Sequence, residues 1–277
     1  MDDLLREVPE NDAELKSCCA NLYENEMVKF FLGESYHPGG LALTKKLAGK
    51  LSLQAGQRVL DIACGPGTSV LALAREYGVK VTGLDLSEKN CHSGRQGAEK
   101  EGLGKLVDFV QGDAETLPFA EQTFDAVISE CSFCTFPDKE SAAAEMFRVL
   151  RSGGRIGITD VILNTELPDK WKNHVSHILC LADAQSFEGY TRYLTKARFG
   201  QVTCFDESHA LVALADQIKA KLLLVQLAAG LGKLSIPSFD IKEANQTIKE
   251  VLEFIRAKRA GYGMITGTRQ ASELTGS

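Results

Sequence analysis

The stretch VLDIACGPGTSVLALA, residues 59–74, decides the fold. Its opening is a short apolar run broken only by Asp61, its middle holds Gly65 and Gly67, and its end continues as VLALAREYG with helical spacing. A short apolar run that stops at glycines reads as a buried strand, and the spaced apolar residues after the glycines read as a helix. The two glycines allow a tight turn and let a ligand come close to the backbone. Asp85 ends the next apolar run, KVTGLDLS, twenty residues after Gly65. A carboxylate there can accept both hydroxyls of a ribose. The dinucleotide fingerprint needs a third glycine three residues after Gly67, and that position is Val70. On this segment alone, a plain strand-to-helix turn and a nicotinamide site both stay open.

Outward from the turn, strands and helices alternate. Residues 12–31 are helix-like and stop at SYHPGG; LALTKKLAGKL is an amphipathic helix. After the second strand, SEKNCHSGRQGAEKEGL predicts a helix, VDFVQGDAETLPF a third strand and a loop, and FDAVISECSF a fourth strand. KESAAAEMFRVLRSGG predicts a helix ended by its glycine pair, and RIGITDVIL a fifth strand. This rhythm predicts an α/β fold, a doubly wound and mostly parallel sheet. Beyond residue 164 the pattern changes to helices, a strand near QVTCFD, a long helix, a last helix over 240–260 and a final strand at GYGMITGTR.

Bulk composition narrows the function. Apolar residues make up 44% and charged residues 25%, values of an ordinary globular chain. A net charge of −6 offers no basic excess to release phosphate counterions, so nucleic acid is not an expected partner. No apolar run reaches the ~20 residues of a membrane-spanning helix, and the acidic start MDDLLREVPENDAEL lacks a signal-peptide core. A cytoplasmic protein without membrane partners is the expectation. In a reducing compartment the eight cysteines, Cys18, Cys19, Cys64, Cys91, Cys131, Cys134, Cys180 and Cys204, are thiols open to ligation or chemistry, or small buried hydrophobes. Cys64, Cys91 and Cys204 are assigned to packing.

The ordered set VLDIACGPG, VTGLDLS, QGDAETLPF, FDAVISE and RVLRSGGRIGITD resembles class I S-adenosylmethionine-dependent methyltransferases over roughly residues 40–165. The resemblance implies S-adenosylmethionine as cofactor. It implies a cofactor set of Asp61, Ala63, Gly65, Gly67, Asp85, Leu86, Asp113, Ala114 and Glu130. Within that set Ala63, Gly65 and Gly67 face the methionine end, Asp85 the ribose, Asp113 and Ala114 the adenine, and Glu130 the sulfonium. It also divides the chain into an N-terminal helical segment over the cofactor (1–40), the cofactor-binding core (41–163), and a helical cap with the end of the sheet (164–277).

A narrower resemblance bears on the acceptor. VISECSF, followed in the cap by CLADA, is similar to arsenite methyltransferases. That implies Cys131 and Cys180 as ligands of trivalent arsenic, a soft centre that favours thiolates. Cys134 or the Cys18–Cys19 pair would be a third ligand, and a thiol reductant a possible co-reactant. Arsenic would attack through its own lone pair, so no base is needed. C-x-x-C at 131–134 is also half of a zinc or redox motif, but no second half completes it.

Two other readings remain. One is a small-molecule N-, O- or C-methyltransferase of the sterol, quinone or glycine-betaine kind, with the cysteines lining an apolar pocket and His37, Tyr23 or His177 as base. His174 and His177 also read as an exposed helix face, and His37 reads equally well as structural. The other is a cofactor-binding module without chemistry, against which Asp61, Asp85 and Asp113 count. The sequence leaves the oligomeric state and the number of methyl transfers open.

Overall fold

The computed structural model describes residues 11, 12, 14, 16, 26–33, 35–168, 171, 181, 183–230 and 241–270. Among them seven strands form one sheet in the order β3-β2-β1-β4-β5-β7-β6. These are β1 (Arg58–Ile62), β2 (Lys80–Asp85), β3 (Val107–Gln111), β4 (Phe124–Glu130), β5 (Leu150–Leu163), β6 (Phe199–Asp206) and β7 (Ala260–Arg269). The first five pair in parallel, and β7 runs antiparallel between β5 and β6. The α-helices whose bounds fall among the described residues are α1 (Glu26–Leu32), α2 (Gly40–Lys50), α3 (Thr68–Tyr77), α4 (Glu88–Lys100), α5 (Lys139–Val149), α6 (Phe187–Lys196), α7 (Ser208–Gly230) and α8 (Ile241–Arg256).

Alternation along each strand builds the two layers. In β1, Val59 belongs to the core shared with α2, α3, α7 and α8, whereas Leu60 and Ile62 belong to the core under α5 and α6. Both faces are covered, which is why the parallel strands read as nearly continuous apolar runs. Asp61 shares the Val59 face by period two, yet it is buried with a carboxylate where its neighbours carry methyl groups. Helix ends are set locally: the Ser87 hydroxyl accepts the Asn90 N–H at the start of α4, and the Asp138 carboxylate accepts the Ser141 N–H at the start of α5.

Two boundaries differ from the sequence expectation. Helix α5 ends at Val149, so the glycine pair lies inside β5 rather than capping the helix. Phe124 pairs with Leu150 and Ala126 with Arg155, a bulge in which Gly153 takes φ +76°. The fourth strand stops at Glu130 instead of running on through Phe133. Cys131 turns the chain at φ +56°, and a 3-10 turn, Phe133–Thr135, comes next. The region beyond 164 contributes β6 and β7 to the same sheet, together with α6, α7 and α8.

Candidate active site

The sheet order places a crossover at β1, with β2 on one side and β4 on the other. Ligands of open α/β sheets bind at the carboxyl ends of strands at such a point. There β1 and β4 each leave the sheet through a non-glycine residue in the left-handed region, Ala63 at φ +58° and Cys131 at φ +56°. Each costs about 1–2 kcal/mol against the ordinary conformation, and strain of this kind collects where function needs it. Hydrogen bonds hold the second turn, since the Cys131 N–H donates to the Thr159 carbonyl at 2.6 Å.

One chamber opens over these ends. Its wall includes Ala63, Gly65, Asp85, Leu86, Asp113, Ala114, Glu130 and Cys131, with Tyr36 and Lys16 reaching over from the N-terminal side. Asp85 ties the chamber together. One carboxylate oxygen accepts the Gly65 N–H at 2.8 Å; the other accepts the Ser87 N–H at 2.9 Å and the Asn90 amide at 3.2 Å. Asp113 accepts the Glu115 N–H and pairs with the Lys16 ammonium at 2.8 Å. Burial pulls the Lys16 pKa down, but hydrogen bonds to Asp113 and Glu115 more than offset it, so the net shift is upward.

A polar recess continues from this chamber beneath the first helix turns. Glu130 accepts the Ser69 hydroxyl at 2.7 Å and the Thr44 hydroxyl at 3.1 Å, while His37 Nε2 stands 3.7 Å from it. His37 Nδ1 lies 3.3 Å from the Pro38 carbonyl, an acceptor, so Nδ1 carries a proton in that contact. Asp61 faces the same recess. Its pKa is raised well above the ordinary carboxylate value by burial first, then by the charges of Glu130 and Asp85. Asp61 Oδ2 and His37 Nε2 are both buried without a hydrogen-bond partner. Buried polar atoms are rarely left so, and a ligand is one thing that completes them.

On the far side of Tyr36 and Cys131 lies a second chamber, between the carboxyl end of β5 and helices α7 and α8. Behind Cys131, the fully buried Tyr262 donates to the Thr159 hydroxyl at 3.2 Å. Burial, then the neighbouring Cys131, pushes the Tyr262 pKa well above its ordinary value.

Most of the expected cofactor set meets here: Ala63, Gly65, Asp85, Leu86, Asp113, Ala114 and Glu130 share the chamber, and Asp61 lies in the recess, which it shares with His37, the residue expected as a base. Gly67 does not line either. A Cβ on it would sit 2.5 Å from the Phe109 ring, and its φ is +87°, so its part is to seat α3 on β3. Cys134, expected on the site loop, is only 1% exposed and packs in the core, where its N–H donates to buried Asp160. The 3-10 turn after Cys131 swings it inward and away from both chambers. Cys91 is buried, its pKa pushed up to about 11 by burial. Cys204 contacts the Thr191 hydroxyl on the opposite side of the sheet. Cys18, Cys19, Tyr23, His174, His177 and Cys180 fall outside the described residues, so the expected Cys131–Cys180 pair has no geometry here. Among the described residues no group of three or more histidines, cysteines or carboxylates is arranged to hold a metal ion.

Sequence reasoning missed Thr44, Ser69, Asn90, Lys16 and Tyr36. Ser69 stands in GPGTS, where a hydroxyl beside a glycine turn is a usable signal. Thr44 looks like any polar position of an amphipathic helix.

Residues 60–158 match the family model described as a methyltransferase domain. The chain is 35% identical over 154 residues to the methyltransferase GfsG of Streptomyces halstedii, covering 56% of this chain and 55% of that protein. It is 34% identical to the sarcosine/dimethylglycine N-methyltransferase of Halorhodospira halochloris, over 58% of each. The chain thus spans about half the length of the curated relatives it matches. Haemonchus contortus phosphoethanolamine N-methyltransferase 2, solved with phosphomonomethylethanolamine and S-adenosylhomocysteine, superposes with a TM-score of 0.75. Identity is 20%, and the match covers 94% of this chain and 58% of that one. At that identity it speaks for the fold, with which the sheet order and the chamber agree. No described helix is long and apolar enough to cross a membrane. Matched segment and sheet agree: residues 60–158 match a methyltransferase domain, and they lie in a sheet of Rossmann-like order whose strand ends form the chamber.

Proposed function

We propose that this protein transfers the methyl group of S-adenosylmethionine to a small organic molecule. What carries the reading is a single chamber that joins Asp85, Asp113 and Glu130 to the strained ends of β1 and β4. The residues fit the cofactor's parts. Asp85 offers a buried carboxylate to ribose hydroxyls, and Leu86, Asp113 and Ala114 suit an adenine. The recess with its unpartnered Asp61 and His37 atoms suits a charged amino-acid end. When bound, S-adenosylmethionine supplies an electrophilic methyl on a sulfonium, taken by an acceptor lone pair as the carbon–sulfur pair returns to sulfur and any proton on the acceptor atom leaves.

The chain's own contribution is placement and field. Glu130, held by hydroxyl bonds from Thr44 and Ser69, sets an acidic side chain at the end of β4, where the sulfonium would lie in a largely water-excluded site. Tyr36 and Cys131 stand where the two chambers adjoin, beside the position expected for the methyl group. His37 and its neighbour Glu130, 3.7 Å apart, are of the right chemistry to relay a proton beside Tyr36. The test is radiolabelled methyl transfer from S-adenosylmethionine to a panel of organic acceptors, with S-adenosylhomocysteine binding measured in parallel. A wild-type protein that binds no S-adenosylhomocysteine ends the reading.

A second reading, methylation of trivalent arsenic with a thiol reductant, draws on one observation. Cys131 is half-buried and lines both chambers, where a thiolate would meet both cofactor and acceptor. Methylated arsenic formed from arsenite by the wild type, and lost in Cys131→Ser, would favour it.

A further inference from the structure

The second chamber differs from the first in chemistry. Among the described residues its wall carries no charged side chain; apart from Tyr36 and Cys131 it is hydrocarbon and aromatic. It is a concave chamber with walls from four directions: Val161 of β5, Ala215 and Ile218 of α7, Val251 of α8, and the turn at Tyr36 and Pro38. Trp171 and Phe254 close one end with an edge-to-face contact, ring centroids 5.1 Å apart. Tyr36 and Cys131 belong to both chambers, so the two chambers adjoin at those residues.

We propose that this chamber is the acceptor site, and that it takes a neutral, hydrocarbon-rich molecule presenting its methyl-accepting atom at the wall formed by Tyr36 and Cys131. The proposal rests on the methyl-transfer reading and adds to it the class of acceptor. An amino-acid-like acceptor would bring a carboxylate into a space where no described side chain offers it a cation, and an unpaired buried charge is strongly disfavoured. An apolar molecule meets no such penalty and gains by leaving water. The exposed apolar face of α7, with Leu223, Leu224 and Leu227, is a separate feature: none of the three lines the chamber.

The experiment titrates the full-length protein with the neutral dye N-phenyl-1-naphthylamine, follows its fluorescence, and measures S-adenosylhomocysteine binding by calorimetry on the same samples. The expected result is saturable dye binding, displaced by farnesol and untouched by excess sarcosine. Ala215→Phe and Val251→Trp, which fill the cavity from different helices, are each expected to weaken the dye by about tenfold or more. Both should leave S-adenosylhomocysteine affinity within about twofold, since the two sets of contacts are separate. That intact affinity also reports that each variant has folded. Leu224→Gln, on the outer face of α7, is expected to change neither. Dye binding that survives both filling substitutions, that falls with Leu224→Gln, or that sarcosine displaces, overturns the proposal. A wild-type protein that takes no S-adenosylhomocysteine overturns the methyl-transfer reading instead, and does so on a different ligand.

Discussion

The two chambers meet at Tyr36 and Cys131 and are opposites. The first holds Asp85, Asp113 and Glu130 within a hydrogen-bonded frame; the second is walled by aliphatic and aromatic side chains from α7, α8 and β5. The difference comes from how each is made. Polar groups of the first come from strand ends and tight turns, where backbone N–H groups outside the ladder need acceptors and acidic side chains supply them. Walls of the second come from helix faces laid on the sheet, which are apolar because they are core. One molecule thus sets a chamber with acidic side chains beside one with no charged side chain among the described residues.

The comparison breaks most visibly at Asp85. Asp85→Ala leaves the N–H groups of Gly65 and Ser87 without their acceptor, about 1–3 kcal/mol for each buried donor left unpaired. We expect S-adenosylhomocysteine affinity to fall about a hundredfold or more, in line with loss of a charged hydrogen-bond hub. Dye binding in the second chamber should persist as long as the protein stays folded. Calorimetry and fluorescence on one sample check both halves; loss of dye in a folded variant would mean the chambers are not separable.

Gly67→Val comes next. Its Cβ would lie 2.5 Å from the Phe109 ring at φ +87°, so overpacking and a left-handed β-branched residue add to about 2–4 kcal/mol of destabilisation. Thermal melting reads it, and Phe109→Leu in the same chain should recover part of the loss. A melting temperature unchanged in Gly67→Val would show that the turn is looser than its packing.

Asp61 sharpens the contrast through pH. Its folded pKa is raised well above its ordinary value near 3.8, so the folded state holds a proton that the unfolded state has released. Stability therefore falls as pH rises from that ordinary value through the folded pKa. Below the ordinary value both states are protonated, and the effect is absent. Asp61→Asn should remove this slope and melt higher than wild type near neutral pH, with the gap closing on acidification. The same variant should bind S-adenosylhomocysteine more weakly, because the buried acid can give up its proton when an ammonium group arrives and the amide cannot. A gap that is constant with pH would refute the assignment.

Cys131→Ser is the smallest change on the organic-acceptor reading. Removing one thiol from a wall that continues on both sides should alter S-adenosylhomocysteine affinity and methyl transfer by about threefold or less. A loss of all turnover, measured with arsenite as acceptor, would return the thiol to the centre of the chemistry.

Much of the first chamber could be seen before any coordinates. Gly65, Asp85, Asp113, Ala114 and Glu130 lie at strand ends, and a parallel sheet brings its carboxyl ends to one edge, so spacing along the chain becomes proximity in space. Cys134 could not be judged that way. Three residues after Cys131, it is turned into the core by a 3-10 segment and a bond to Asp160 that no local pattern announces. Thr44 and Ser69 were hidden for a different reason: they come from separate helices, and only the packing of α2 beside α3 aims both hydroxyls at Glu130.

By itself, then, the sequence determined the strand–turn–helix alternation, the parallel sheet and the acidic residues at its edge. Those rest on local periodicity and on glycines whose backbone needs are intrinsic. Tertiary structure alone decided which polar atoms remained unpartnered, that Cys131 reached both chambers, and that a chamber with no charged side chain among the described residues adjoins the acidic one. Each of these depends on surfaces from distant segments closing around one point, and such closure is a property of packing that no single stretch of chain encodes.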